Sequence, residues 1–482
     1  MSDGFELAEA TIADLGAKLR SGESSVRALA EAYVGRIEAL DGELRSVLEI
    51  DPELSANADR LDGELRGGRD RGPLHGIPIL VKDNIGTADR METTAGSLAL
   101  VGRRPPADAV FVAHLRDAGA LLLGKSNLSE WANFRSTRSS SGWSARGGQC
   151  RNPYSTARSP AGSSSGSGVA IAANLCAAAV GTETDGSIVS PSSANGIVGI
   201  KPTVGLVSTQ GVIPISHTQD APGPMARTVA DAATVLAAMT GSTVAPADPA
   251  PLRGARIGAA RGLSELDPRV EALFEDALDV LRAAGAEVVD PVDVPHADEY
   301  HDHEWEVLTY EFKADLEAYL ASIPGEGPAT LADLIAFNEA HRDEELPFFG
   351  QEIFERSVEK GPLTEPGYLA ALEACRRLAR EEGLDAAIAG HRLDAVVAPT
   401  RGPAWLIDHV NGDPSFGGSA RVAAVSGAPS ITVPMGAVAG LPVGLSFIGG
   451  ARREEALIAY ASAFEHETHH RFAPYVDVFV HV

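Results

Sequence analysis

Apolar residues recur with the period of an α-helix in the first part of the chain. Thr11 and Asp14 have the spacing of a capping box, which marks the start of a helix. Six apolar residues then fall on one helical face: Val26, Leu29, Ala30, Tyr33, Val34 and Ile37. Residues 11 to about 48 are therefore predicted to form two helices that dock on the rest of the fold.

From residue 73 to about 239, short apolar runs alternate with Gly- and Ser-rich turns. Residues 77–81 and 120–124 are predicted to be buried strands, with Pro78 at the start or the edge of the first one. Helices are predicted over 167–179 and 228–240, and 180–182 is expected to lead into a turn. This alternation of strands and helices predicts an α/β sheet with helices on its faces.

The third part of the chain, 246–390, is mostly helical and richer in charge, with clear periodicity over 270–284 and 310–321. It is interpreted as a helical insertion or lid. Strand patterns return at 394–398, 429–434 and 443–447. We therefore expect a single domain over 1–482: N-terminal helices to about 70, a core over about 71–240, the insertion, and a return to the core sheet over about 391–475.

Composition narrows the function. The chain has 482 residues, 44% of them hydrophobic and 22% charged, which is typical of a globular enzyme. A formal net charge of −26 repels phosphate backbones and anionic lipid, so nucleic-acid and membrane partners are not expected. The longest run of small apolar residues, 169–180, is shorter than the roughly 20 residues of a membrane span.

The cysteines and the N-terminal sequence bear on the cellular compartment in which the protein is expected. Cys150, Cys176 and Cys375 match no zinc or redox spacing and are interpreted as buried free thiols, as in a reducing compartment. The first residues show neither a basic segment nor an apolar segment of a signal peptide. A cytoplasmic location is expected.

A Gly/Ser cluster, SPAGSSSGSG at 159–168, precedes a predicted helix whose N-terminal amides would point at the loop. Residues 162–166 match GxSxG, the nucleophile elbow of another hydrolase fold, but that motif follows directly on an apolar strand. Here the preceding residues are polar and include two prolines, which argues against an elbow. A flexible linker is the remaining structural interpretation.

Two further segments change this picture. The turn GTETDGS at 181–187 follows an apolar stretch, and Lys82 ends the apolar run 77–81. A lone lysine at a strand end usually extends to the surface. Together with the two Ser-bearing loops, however, Lys82 is expected to be buried.

Three blocks resemble the signature blocks of the amidase signature family: GPLHGIPILVKDN (72–84), SPAGSSSGSG (159–168) and GTETDGSIVSPSSANGIVGIKPT (181–203). The resemblance extends over nearly the whole chain after about residue 10 and is strongest for the bacterial peptide amidase branch, whose members release ammonia from C-terminal peptide amides. It implies an α/β fold built on a large mixed twisted β-sheet covered by helices on both faces.

The resemblance also implies a Ser–cis-Ser–Lys triad without histidine. Ser187 would be the nucleophile, and Ser163, after a cis peptide bond from Gly162, would pass the proton to a neutral Lys82. An oxyanion hole from the main-chain N–H groups of four residues is implied: Thr184, Asp185, Gly186 and Ser187.

Ser164 would support this network, and Asn133 would line the acyl pocket. The expected substrate is a small-molecule or peptide amide. Neither a metal nor another cofactor is implied, and the protein is expected to be a monomer or a homodimer.

Five positions depart from the usual family pattern. Glu183 stands for Asp and Asp185 for Gly, as in the peptide amidase branch, while Ala161 and Ser165 replace glycines. Val189 replaces an arginine found in glutaminyl-tRNA-forming amidotransferase subunits. This argues against the amidotransferase role, which stays an alternative together with a non-catalytic scaffold and with hydrolysis of aryl amides, esters or carbamates.

Two polar clusters are interpreted as non-functional. Residues 466–470 match the HExxH zinc motif but lack a third ligand at a suitable spacing, so coincidence on a solvated helix is the expected explanation. His301, His303 and Glu304 form the second cluster and are expected at the surface or in a lid.

Overall fold

A computed structural model describes residues 7–241, 252–263, 267–414 and 417–475. The N-terminal part contains α1 (Ile12–Ser21), α2 (Val26–Leu44), β1 (Val47–Ile50) and α3 (Leu54–Arg66). Thr11 and Asp14 form the predicted capping box of α1. The two predicted helices are confirmed, but α2 ends at Leu44 because Arg45 adopts a left-handed conformation with φ 52°, and the sequence pattern did not predict β1 or α3.

The remaining strands follow in chain order. They are β2 (Pro78–Lys82), β3 (Leu121–Ser126), β4 (Trp143–Ser144), β5 (Gly148–Gln149), β6 (Ala178–Glu183), β7 (Val198–Lys201), β8 (Ala221–Ala226), β9 (Arg256–Ala259), β10 (Glu287–Val289), β11 (Ala395–Pro399), β12 (Ser430–Val438) and β13 (Leu441–Ile448).

The remaining helices are α4 (Val110–Asp117), α5 (Ser165–Ala172), α6 (Val189–Ala194), α7 (Val229–Met239), α8 (Pro268–Ala283), α9 (His301–Ser322), α10 (Leu331–Ala340), α11 (Arg342–Glu345), α12 (Glu352–Val358), α13 (Pro366–Cys375), α14 (Asp385–His391), α15 (Ala420–Ser426) and α16 (Glu454–Thr468). A π-helical stretch, Arg376–Leu384, joins α13 to α14.

The described strands other than β4 and β5 form one 11-stranded sheet in the order β1-β3-β2-β6-β8-β7-β12-β13-β11-β9-β10. Strand β2 is parallel to both of its neighbours, β3 and β6. The strands from β6 to β11 then pair antiparallel, and β9 is parallel to β11 and to β10. Every residue of β2, β6 and β13 is buried, as expected for strands covered on both faces. The predicted fold class is confirmed.

Two predicted elements need correction. The helix predicted over 167–179 ends at Ala172, because Asn174 adopts a left-handed conformation with φ 57°. The chain then enters β6 at Ala178, so residues 180–182 belong to a strand rather than to the approach to a turn. The range 246–390, predicted to be mostly helical, also contributes β9 and β10 to the main sheet.

The helical region is fixed to the core by a separate apolar cluster. The Phe312 ring on α9 lies 5.1 Å from that of Phe134, and the Phe354 ring on α12 lies 5.6 Å from that of Trp131. These four aromatic residues are buried together with Leu128. The segment that carries Asn133 is therefore held against α9 and α12. In the described part of the chain, the helices are too short or too polar to cross a membrane.

The three cysteines are free and buried, as predicted.

Candidate active site

Lys82 is the last residue of β2, in the middle of the parallel part of the sheet. Its side chain is fully buried. The strand is a continuous apolar run up to this residue, and Pro78 occupies its first position, where no ladder hydrogen bond is lost. The sequence thus carries one amine into the protein interior at a strand end.

Three oxygen atoms surround the Lys82 amine. Nζ lies 2.8 Å from Ser163 Oγ, 3.1 Å from the Thr182 carbonyl oxygen and 2.9 Å from Thr182 Oγ1. A neutral amine donates its two N–H groups to the Thr182 oxygens and accepts the Ser163 hydroxyl proton, whereas an ammonium donates to all three oxygens; the contacts suit both charge states. Burial lowers the pKa of Lys82 to about 7, and the charges of Asp220 and Glu183 oppose that shift.

Two other buried lysines serve as an internal comparison. Lys125 on β3 donates to the Ile85 carbonyl oxygen and to Thr93 Oγ1, and Lys201 on β7 donates to the Pro202 carbonyl oxygen. Burial lowers the pKa of each to about 8. Burial alone therefore does not distinguish Lys82; its contact with a serine hydroxyl does.

Residues 159–164 of the Gly/Ser cluster form the loop before α5, and the segment 150–158 directly before them contains no strand, which agrees with the rejection of a nucleophile elbow. The Gly162–Ser163 peptide bond is cis, as the resemblance implies. Ala161 has φ 60°, so the alanine that replaces a glycine adopts a left-handed conformation, while Ser165 lies in the helix. The Ser163 carbonyl oxygen accepts a 3.0 Å hydrogen bond from Ser129 N–H.

Ser164 joins this loop to the turn after β6. Its hydroxyl donates to the Thr182 carbonyl oxygen at 3.1 Å and accepts from Thr182 N–H at 3.3 Å. Its own N–H donates to the Ser187 carbonyl oxygen at 3.1 Å. Ser164 therefore holds the Ser163 loop beside Ser187.

The turn that carries Ser187 lies between β6 and α6. Gly186 has φ 80°, which favours glycine, and a Cβ there would lie 3.1 Å from Ser190 Oγ. Glu183 closes the turn, because Oε2 accepts hydrogen bonds from Ile188 N–H at 2.7 Å and Val189 N–H at 2.9 Å. The glutamate thus caps the short helix that follows the serine.

The main-chain N–H groups of Thr184, Asp185, Gly186 and Ser187 donate no hydrogen bond to any residue that the structure describes. Buried N–H groups are nearly always paired in native proteins. Three of the four residues are buried and Asp185 is half-buried. A cluster of free donors beside a serine is what an oxyanion-binding turn requires.

The structure brings the predicted residues together with one exception. Ser163 contacts Lys82, but the Ser187 hydroxyl makes no hydrogen bond within the described residues, to Ser163 or to any other group. Ser187 is 7% exposed, whereas Ser163 and Lys82 are fully buried. Catalytic hydrogen bonds are often long before substrate is bound. This geometry therefore suits Ser187 as a nucleophile at the exposed end of the series Lys82, Ser163 and Ser187.

Two charged residues and one amide that the motifs do not reveal lie beside Asp185. Arg421 Nε lies 3.5 Å from the Asp185 carboxylate and 3.3 Å from that of Glu304. Glu304 is buried, so the expected surface position is wrong for this residue, whereas His301 and His303 are exposed as expected. Burial and the charge of Asp185 raise the pKa of Glu304 to about 8. Gln219 Nε2 donates to Glu304 at 3.1 Å and completes this group.

Asp220, which directly precedes β8, supports the same turn. Its carboxylate accepts a 2.6 Å hydrogen bond from Thr184 Oγ1 and others from the N–H groups of Ile215 and Ser216. Burial raises the pKa of Asp220 to about 6. Sequence spacing could not single out Asp220, since it lies 36 residues after Thr184.

Asn133 lies at the edge of the Ser163 loop. Its Nδ2 donates to Ser141 Oγ at 3.2 Å and lies 3.3 Å from the position that a Cβ on Gly162 would occupy. Its Oδ1 is buried without a hydrogen-bond partner. An acceptor is therefore free beside the peptide bond that leads to Ser163.

The candidate metal ligands have structural partners. His217, Glu311 and Asp315 place ligand atoms within 4.8 Å of one another. Glu311 accepts hydrogen bonds from Ser216 and Tyr368, and His217 Nδ1 lies 2.9 Å from Asp315.

In the HExxH segment, 466–470, α16 ends at Thr468 and His466 is exposed, which agrees with the interpretation of this motif as coincidence.

Comparison with known proteins agrees with this geometry. A family model described as amidase matches residues 28–458. The native peptide amidase from Stenotrophomonas maltophilia has a TM-score of 0.92 at 51% identity, over 98% of this chain and 99% of that chain. An amidase family protein from Bacillus anthracis has a TM-score of 0.86 at 33% identity, over 97% of this chain and 93% of that chain.

Similarity also extends to a glutamyl-tRNA(Gln) amidotransferase subunit from Salinispora arenicola, at 34% identity over 96% of this chain and 98% of that protein. The match to the family model covers most of the sequence, and the free donors, the buried amine and the serines lie inside it. The chain therefore belongs to the amidase signature family and is an amide-hydrolysing enzyme.

Proposed function

We propose that this enzyme hydrolyses the C-terminal carboxamide of peptides, with Ser187, Ser163 and Lys82 as its catalytic residues. The observation that carries the mechanism is the 2.8 Å contact between the buried Lys82 amine and Ser163 Oγ. The substrate class is supported by 51% identity to a peptide amidase over nearly the full length of both chains.

The proposed reaction has two steps. Ser187 Oγ attacks the amide carbon while its proton passes through Ser163 to the neutral Lys82 amine. The C–N bond breaks, the proton returns by the same path to the leaving nitrogen, and ammonia departs from an acyl-enzyme on Ser187. Water, deprotonated by the same groups, then attacks the ester carbon and releases the peptide acid and Ser187.

The free N–H groups of Thr184, Asp185, Gly186 and Ser187 would stabilise the oxyanion in both steps. Each donor of this kind is worth roughly 100- to 1,000-fold in rate. Ser164 positions the serine loop, and Asn133 Oδ1 would accept a hydrogen bond from a substrate N–H. The aromatic contacts of α9 and α12 with the segment that carries Asn133 support one amidase domain rather than a detachable lid.

The substrate class is tested by ammonia release from an N-acetylated dipeptide amide, with the corresponding anilide, methyl ester and carbamate as parallel substrates. We expect the dipeptide amide to have the largest kcat/KM. A larger value for one of the others would replace peptide amides by that class. If the folded enzyme hydrolyses none of them, the amidotransferase role is favoured instead.

The pH dependence of kcat/KM is a separate prediction. Only neutral Lys82 can accept a proton, and its pKa is about 7. We therefore expect kcat/KM to rise with pH up to a plateau above about 7 and to fall tenfold per pH unit well below it. A profile that is flat between pH 5 and 8, or that rises toward acid, would contradict a lysine base.

The variant Asp220→Asn provides a control for this profile. The Asp220 charge raises the pKa of Lys82, so its removal is expected to move the acidic limb to lower pH. If the acidic limb of the kcat/KM profile is unchanged in Asp220→Asn, a group other than Lys82 controls it. Thermal unfolding at each pH separates loss of catalysis from loss of the fold.

A further inference from the structure

Among the described residues, the Arg401 guanidinium has no carboxylate within 4.0 Å and no hydrogen-bond partner. Its Nε is buried without a partner. The residue as a whole is only partly buried, so the end of the fork reaches solvent. Burial lowers the pKa of Arg401 to about 10, which still leaves it charged at neutral pH. Shielded polar atoms are normally paired, and here the shielded Nε is not.

The Trp405 ring holds the Arg401 side chain in one orientation but does not pair with its N–H groups. Its guanidinium carbon lies 4.1 Å from the centre of the Trp405 ring. The charge of Asp413 acts on Arg401, but the two Asp413 oxygens already accept hydrogen bonds of 2.9 Å from Trp405 Nε1 and Ser141 N–H. Stacking fixes the plane of the guanidinium and leaves its N–H edge free for a ligand.

The segments next to Arg401 contact both loops of the active site. Trp405 packs with Ala161, and its carbonyl oxygen accepts a 2.8 Å hydrogen bond from Ser159 N–H in the loop that leads to Ser163. On the other side, the Arg401 main chain pairs with Gly418. Two residues later, Ala420 Cβ lies 3.3 Å from the position of a Cβ on Gly186, next to Ser187.

Two other arginines near this segment are engaged. Arg421 lies between Asp185 and Glu304, and Arg158 Nη1 donates to the Ala404 carbonyl oxygen. A substrate carboxylate that reached the site would therefore meet Arg401 as the unpaired donor within this described group. A guanidinium binds a carboxylate through two parallel hydrogen bonds, and this geometry favours it over an amide.

We propose that Arg401 is a specificity-determining residue that binds an acidic side chain in the acyl part of the substrate. The inference rests on the proposed function, because it assumes a peptide amide in the site. The enzyme then prefers Asp to its neutral isostere Asn at one of the two residues before the scissile amide.

The test compares kcat/KM for four substrates in two matched pairs: Ac-Asp-Phe-NH₂ with Ac-Asn-Phe-NH₂, and Ac-Phe-Asp-NH₂ with Ac-Phe-Asn-NH₂. In the wild type we expect an Asp-to-Asn ratio of about 10 or more in one pair. Arg401→Gln is expected to bring that ratio to about 1 or below, with little change for the Asn substrates. Arg401→Lys should retain part of the preference.

Arg66→Gln is the matched control, since it removes one positive charge from the exposed end of α3. It should leave the ratio unchanged. Equal ratios in the wild type and Arg401→Gln in both pairs would overturn the inference while the Asn substrates still report amidase activity. If neither Asn substrate is hydrolysed by the wild type, the proposed function fails instead.

Discussion

Ser187→Ala is expected to lower kcat for ammonia release by roughly 10⁴- to 10⁶-fold, with the fold unchanged. The variant removes the hydroxyl that would form the acyl-enzyme but leaves the turn intact. Its Cβ remains, Gly186 keeps its φ of 80°, and the Glu183 cap of α6 does not involve the Ser187 hydroxyl. Residual activity would come from the free N–H groups, which still bind the substrate carbonyl.

Ser190→Ala is a matched control three residues further along the same turn and helix. Its hydroxyl lies 3.1 Å from the position of a Cβ on Gly186, but it has no place in the proposed proton path. We expect it to retain activity within a few-fold of the wild type. Intact mass measured after mixing with a slowly hydrolysed ester should show an acylated protein for Ser190→Ala and none for Ser187→Ala. Full activity of Ser187→Ala would exclude Ser187 as the nucleophile.

The second large effect on activity is expected for Lys82→Met. Methionine has nearly the length of lysine without its basic nitrogen, so Ser163 loses its proton acceptor while the interior stays filled. We expect kcat/KM for a peptide amide to fall by at least about 100-fold and up to about 10⁴-fold. A 4-nitrophenyl ester should lose much less, because its leaving group departs without a proton. An equal loss for both substrates would indicate a damaged site rather than a missing acid–base group.

Lys125→Met is the corresponding control, because Lys125 is buried on the neighbouring strand and has no serine partner. It should affect stability more than the ratio of amide to ester activity. The pH dependence of unfolding gives a second readout. The pKa of Lys82 falls from 10.5 to about 7 on folding, so between these values the unfolded chain binds more protons. The stability of the wild type relative to Lys82→Met should therefore rise with pH over this range.

Local sequence signals account for much of the fold. The apolar run ending at Lys82, the capping box of Thr11 and Asp14, and the helix after Thr228 are all found where they are predicted. The helix predicted over 167–179 extends too far, because its small residues suit a helix and a buried strand equally well. Only the left-handed conformation of Asn174, which the pattern does not show, separates α5 from β6.

The residues of the candidate site also fall into those that the sequence predicted and those that it did not. The contact of Lys82 with Ser163 was expected because both residues lie in blocks that resemble a known family. Arg421 and Glu304 were missed, since they reach Asp185 from α15 and α9 and lie in no block quoted for the resemblance. Arg401 was missed for a different reason: its significance lies in a partner that it lacks, and a sequence does not show unpaired groups.

The burial of Lys82 has a practical consequence for chemical footprinting. Acylating reagents react with neutral amines, so at pH 7 a lysine with a pKa of about 7 is chemically more reactive than the surface lysines. Its position between two parallel strands keeps the reagent out. Modification of Lys82 therefore requires the groups that bury its amine to move apart, and its rate, followed by peptide mass spectrometry, would measure how often that opening occurs.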